Sequence, residues 1–197
     1  MPHALVRRPG PSLESGLLTH LDRVPVDIEL AGRQWEAYVQ ALRSHGWSVG
    51  EVEPADDCPD AVFVEDALVV FDDLAVVTRP GAPSRLPEVD GAERAARRLG
   101  LDVAHIEAPA TLDGGDVLKV GRTVHVGAGG RTNDAAITQL ARLLSPRGWT
   151  VVAVPVTKVL HLKSAVTALP DGTVVGHLAH VDDPTAFEQF LEVPEPS

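Results

Sequence analysis

Residues 61–79 read AVFVEDALVVFDDLAVVTR. The stretch predicts two strands, 61–70 and 74–79, joined by Phe71-Asp72-Asp73, because β-branched and apolar residues crowd both sides of a short polar turn. Downstream, Val89, Ala92, Ala96 and Leu99 fall near one helical stripe, which predicts a helix over 89–99. A short strand, Leu101 to Ile106, closes the unit. The same order then recurs. Strands at 116–120 and 123–127 flank a tight Gly121-Arg122 turn. A helix follows over 133–144, with Ile137, Leu140, Ala141 and Leu144 on one face, and then a strand over 149–154. A third copy opens with a strand from Ala165, turns at Pro170-Asp171-Gly172, and continues through Thr173 to Leu178. Asp183-Pro184 is a good cap followed by proline at the first helical position, so a helix is expected there with Phe187, Phe190 and Leu191 on its apolar face.

Working back towards the start, His3 to Val6 predicts a strand, 31–44 a helix with Trp35, Tyr38, Val39 and Leu42 on one face, and Trp47 to Val52 a strand. The fold class is therefore α/β, built from strand-strand-helix-strand modules repeating at roughly 50 residues, each too small to bury its own apolar face. No low-complexity linker interrupts them, so a single domain over 1–197 is expected. The last copy is cut short near Leu191, leaving a tail of Val193 to Ser197.

The 197 residues are ample for a core, and 44% hydrophobic with 23% charged residues is the composition of a water-soluble globular chain. A net charge of −11 argues against non-specific nucleic-acid or anionic-membrane binding and suits a small cationic substrate. No apolar run approaches the length of a membrane-spanning helix, and no signal peptide is visible. With one cysteine, Cys58, an internal disulfide is impossible and a cytoplasmic setting is expected.

Acids gather at strand and turn junctions. Asp60, Glu65 and Asp66 bracket an otherwise apolar run, where they are either solvated at a strand edge or aimed into a pocket. Leu112-Asp113-Gly114-Gly115-Asp116 occupies the equivalent place one repeat later, either as a glycine turn in which Asp113 bonds locally or as part of the same acidic site. Recurring carboxylates at equivalent positions of repeated modules suit a planar guanidinium, which they grip by charge-assisted hydrogen bonds. His161, within Val159-Leu160-His161-Leu162-Lys163, is either a structural histidine or a proton carrier suited to neutral pH. Residues 126–132, VGAGGRT, only half resemble a dinucleotide loop, since Thr132 stands where the last glycine belongs. Arg131 at a helix start is better suited to a carboxylate. Arg85 is either a second clamp or a solvated loop charge. His177 and His180 form an H-x-x-H pair with no third ligand at a metal-binding spacing, so no metal and no cofactor are expected. The acids Asp56, Asp57 and Asp60 should raise the Cys58 thiol and suppress its reactivity.

Taken in order, Asp60 through Asp66, Arg85, Leu112 through Asp116, Gly130-Arg131-Thr132-Asn133 and Lys158 through Ser164 resemble the dimethylarginine dimethylaminohydrolase family, part of the guanidino-group modifying superfamily that includes arginine deiminase and the amidinotransferases. The resemblance runs from about Leu5 past Gly172. It implies a five-bladed α/β propeller, the pentein fold, here without its C-terminal module, and hydrolysis of methylated arginine to citrulline and a methylamine. By the same resemblance, Asp66 grips the guanidinium and Asp113 holds the substrate and orients the histidine. His161 is the general acid and base, Arg85 and Arg131 clamp the α-carboxylate, and Asp60 contacts the α-amino group. Leu18 and Glu65 line or support the pocket. The family's nucleophile, however, is a cysteine in the fifth module, and no cysteine follows Cys58. A shortened piece of an active enzyme is therefore expected, with a non-catalytic guanidinium binder or an arginine deiminase as alternatives. An incomplete propeller would expose strand edges, and association into a homo-oligomer is compatible with that.

Overall fold

The structure, a computed structural model, describes residues 1–18 and 22–194. The chain forms two compact units, one of residues 1–77 and 82–104, the other of residues 78–81 and 105–197.

In the first unit, β1 (His3–Val6) leads to α1 (Ile28–Ser44) and then β2 (Ser48–Glu51). β1 and β2 pair in parallel, His3 opposite Ser48 and Val6 opposite Glu51, as a helical crossover permits. Asp27 caps α1 by accepting from the Leu30 amide at 2.9 Å. Trp35 and Val39 of α1 bury against Val6, and Leu42 is partly buried beside them. Tyr38 departs from the expected apolar face: its bulky ring is 57% exposed, because the stripe that meets the sheet is only as wide as the two strands.

A helical turn, α2 (Val64–Ala67), precedes β3 (Leu68–Phe71), β4 (Leu74–Val77), α3 (Glu88–Arg98) and β5 (Asp102–His105). β3 and β4 form the expected hairpin, with Leu68 opposite Val77 and Phe71 opposite Leu74, and the turn sets Asp72 at a φ of 53°. The sheet runs β3-β4-β5. All four residues of β4 are buried, so both of its faces are covered. Ala92, Ala95 and Ala96 of α3 pack with Val52, Ala67, Leu68, Ala75 and Val77. Leu99, expected on that face, is instead 41% exposed at the helix C-cap, beyond the reach of the sheet.

The single strand expected over 61–70 is corrected by this unit. Only Leu68 onward is strand. The Asp66 amide donates to the Phe63 carbonyl and the chain coils through Val64–Ala67. The turn leaves Glu65 exposed and Asp66 buried. The β preference of the apolar residues yields to the need to bury Asp66 beside a cation.

In the second unit, β6 (Val117–Val120), β7 (Thr123–Ala128), α4 (Asp134–Leu144) and β8 (Thr150–Pro155) repeat the pattern. β6 and β7 are antiparallel, with Gly121 at a positive φ in the turn, and β7 and β8 are parallel, Thr123 opposite Thr150 through Ala128 opposite Pro155. Asn133 caps α4 by accepting from Ala136, and Ala136, Leu140 and Leu144 form its buried face. A second helical turn, α5 (Leu162–Ala165), introduces β9 (Val166–Ala168) and β10 (Val174–Gly176), which are antiparallel. The helix expected after Asp183-Pro184 is absent. Pro184–Ala186 makes one 3-10 turn, and β11 (Phe190–Glu192) then pairs in parallel with β10. The amides of Val174 and Val193 bond to Gln189 and Gly176 carbonyls. A helix there would leave that edge of β10 unpaired. Phe187 is buried with Leu118, Val154, Leu162, Val174 and Val181, and Leu191 is 57% exposed.

The chain is thus α/β with four small sheets among the described residues. No helix of those residues is long and apolar enough to cross a membrane.

Candidate active site

The second unit gathers the most concentrated chemistry. An antiparallel bridge between Arg79 and Leu112 brings the loop at residues 78–81 against the start of the Asp113 segment. Gly81 then donates its amide to Asp113 Oδ1 at 2.7 Å. A Cβ at Gly81 would lie 2.4 Å from the Arg131 carbonyl oxygen, so only glycine fits. Asp113, fully buried, presents Oδ2 to Arg131 Nη1 at 3.5 Å and to His161 Nε2 at 3.9 Å. Both readings of this segment meet here: the Asp113 carbonyl accepts the Asp116 amide at 3.0 Å in a local turn, while its carboxylate accepts the Gly81 amide 32 positions away.

Gly114–Asp116 forms a 3-10 turn that carries Asp116 inward. Asp116 is 2% exposed, accepts the Thr132 hydroxyl at 2.6 Å and the Leu162 amide at 2.9 Å, and lies 3.5 Å from His161 Nδ1. His161 stands at the head of α5 in extended backbone geometry, not on a strand, and is buried. Each ring nitrogen faces one carboxylate. A desolvated imidazole held between two carboxylates, with a guanidinium on one of them, can take and return a proton and can hold a planar cation.

Two of the three glycines of the 126–132 loop answer to packing, Gly130 facing open space. A Cβ on Gly127 would lie 2.7 Å from Asp116 Oδ1 and 2.9 Å from Val156 Cγ2, and one on Gly129 would lie 2.5 Å from the Val156 carbonyl oxygen.

The first unit holds a second charged cluster. Arg85 ends a 3-10 turn at Pro83–Arg85 and is buried, which overturns the solvated-loop reading. Its Nη1 donates to Asp66 Oδ2 at 2.7 Å, its Nε and Nη2 to the Glu88 carboxylate, and its Nη2 also to the Asp60 carbonyl at 3.1 Å. Burial alone would push this guanidinium down, but the Glu88 hydrogen bonds and the Asp66 charge outweigh it and hold it above its ordinary value. Arg7 is equally buried and spends its donors on the carbonyls of Glu53, Ala61 and Glu88. The Asp60 carboxylate accepts the Leu17 amide at both oxygens, which pins the segment where Leu18 stands 46% exposed. Cys58 is buried; desolvation and then the Glu88 charge raise its thiol. The acid that matters most is thus Glu88, with Asp57 behind it, and not the run of neighbours alone.

Of the residues singled out in the sequence, Asp113, Arg131 and His161 meet in the second unit, and Asp60, Asp66 and Arg85 meet in the first. Glu65 and Leu18 are exposed. Sequence reasoning quoted Asp116 and Thr132 within motifs without giving either a role of its own, and passed over Glu88 and Arg7. The second acid of Asp-Gly-Gly-Asp and the placement of Glu88 three residues after Arg85 were the available signals. Arg7 offered none.

Comparison with known proteins bears on both clusters. A family model described as arginine deiminase matches residues 86–190. The chain is 61% identical over 194 residues to the N(G),N(G)-dimethylarginine dimethylaminohydrolase of Streptomyces coelicolor, covering 98% of this chain and 75% of that protein. It is 34% identical over 197 residues to the Pseudomonas aeruginosa protein of the same name, covering 98% and 76%. A crystal structure of the Pseudomonas aeruginosa protein, a cysteine-to-serine mutant complexed with citrulline, superposes with a TM-score of 0.90 at 33% identity over 98% of this chain and 76% of that one.

Proposed function

This chain belongs to the dimethylarginine dimethylaminohydrolase family of hydrolases, with the pentein fold of its relatives, and from that premise we propose that its substrates are N-omega-methylated arginines, dimethylarginine and monomethylarginine, destined for citrulline and a methylamine. The observation that carries the reading is the buried grouping of Asp113 with His161 and Arg131. In this reading Asp113 of the second unit grips the flat guanidinium by charge-assisted hydrogen bonds, and the family resemblance alone assigns Asp66 of the first unit a contact of the same kind. His161 protonates the departing amine and afterwards takes a proton from water. Arg131 and Arg85 attract the α-carboxylate, Asp60 the α-amino group, and Glu65 and Leu18 flank the substrate. The residues form one catalytic domain over 1–197, corresponding to part of a five-bladed propeller in a cytoplasmic protein.

The family's thiouronium chemistry needs a thiolate, and Cys58 does not supply it. It is buried, with its thiol raised by that burial. The second reading of this chain is guanidinium binding without turnover.

Calorimetry separates these readings from a bare scaffold. The chain is expected to release heat with dimethylarginine, and the Asp113→Ala variant to lose it. A folded chain giving no heat overturns both readings. Fusing the C-terminal part of the Streptomyces coelicolor relative, where the family resemblance places the nucleophilic cysteine, is then expected to yield citrulline from dimethylarginine; binding without citrulline from that fusion selects the second reading.

A further inference from the structure

We propose that Asp116 is a positioning residue for the hydrolysis, holding the His161 imidazole by Nδ1 so that Nε2 is the nitrogen that exchanges protons. The inference rests on the reading of His161 as the proton carrier. Both carboxylate oxygens of Asp116 are committed within the second unit. Oδ1 accepts the amide of Leu162, the residue after His161, at 2.9 Å. Oδ2 accepts the Thr132 hydroxyl at 2.6 Å and lies 3.5 Å from His161 Nδ1. Thr132 Oγ1, having given its proton to Asp116, accepts the Asp113 amide at 3.1 Å. One carboxylate therefore ties the backbone that carries Asp113 to the turn that carries His161.

The chain makes room for this group at a cost. Gly127 of β7 has no side chain where a Cβ would come within 2.7 Å of Asp116 Oδ1. Desolvating a carboxylate is expensive, and an asparagine could accept the Leu162 amide as well. What a carboxylate does that a neutral amide does not is hold a proton on the facing imidazole nitrogen, the arrangement by which a buried acid fixes a histidine's tautomer. The charged groups around the ring are Asp116 on the Nδ1 side and Asp113 on the Nε2 side. Arg131 lies 3.5 Å from the same Asp113 oxygen, and Lys163 is on α5.

Long-range proton–nitrogen NMR of the nitrogen-15-labelled 197-residue chain reads this directly. Neutral His161 is expected to carry its proton on Nδ1, and Asp116→Asn is expected to abolish that preference and lower the titration midpoint of His161 by about one pH unit. A wild-type ring protonated on Nε2 overturns the proposal. So does a folded Asp116→Asn chain, by circular dichroism, whose His161 tautomer and midpoint are unchanged, since that is the behaviour of a simple loop brace. If Asp116→Asn does not fold, the wild-type tautomer decides alone. The measurement needs no substrate, so a failure to bind dimethylarginine is scored separately, against the functional reading.

Discussion

Arg85 illustrates what one residue commits to when it is buried. Four of its five N–H donors are directed at Asp66, Glu88 and the Asp60 carbonyl. The planar fork of a guanidinium satisfies this geometry, and an ammonium would not. Removing the cation would take from the buried Asp66 and Glu88 carboxylates the positive charge they share. Arg85→Met is therefore expected to destabilise the chain by about 3–5 kcal/mol, and urea denaturation followed by circular dichroism measures it. A denaturation midpoint equal to that of the wild type would show that the cluster contributes nothing to stability. The i, i+3 spacing of Arg85 and Glu88 was readable in the sequence. The burial that turns a weak surface pair into a determinant of stability was not.

At the scale of elements, the modules were legible because each announces itself locally. The 3,4,7 spacing of α4, the two-residue hairpin turns and the Asn133 cap are properties of neighbouring residues. The departures came where distant groups overrode local preference: α2 in place of a strand start, and β11 in place of a helix. The segment leading to β11 is latched by His125 of β7, whose Nε2 lies 3.1 Å from the Ala186 carbonyl and whose ring meets Phe187 at 5.0 Å. Burial pushes this imidazole below its ordinary value of 6.5, with the Ala186 bond opposing. The unfolded chain then binds more protons than the folded one once the pH drops below about 6.5, so stability falls with acidification. Urea midpoints between pH 7 and pH 5 are expected to decline in the wild type, and His125→Phe to flatten part of that decline. An identical decline in the variant would remove His125 as a cause.

For the whole molecule, an excess of acids, 28 against 17 bases, is consistent with a cationic ligand. A ligand that binds only the folded chain stabilises it by mass action. Dimethylarginine at about 100 times its Kd is expected to add about 2.7 kcal/mol, visible as a raised Tm. Agmatine, which lacks the carboxylate that Arg131 and Arg85 are proposed to attract, is expected to raise Tm less at the same concentration. Equal shifts would count against the clamp.

The repeated module and the acidic character of its junctions follow from composition and short-range spacing. Those are properties that neighbouring side chains impose on the backbone whatever lies elsewhere. The state of each charged group was a matter for the folded chain. Asp66 meets Arg85 across 19 positions and Asp116 meets the Leu162 amide across 46. Whether a carboxylate ends in solvent, in an ion cluster or against an imidazole depends on which distant segment desolvates it, and spacing along the chain carries no record of that.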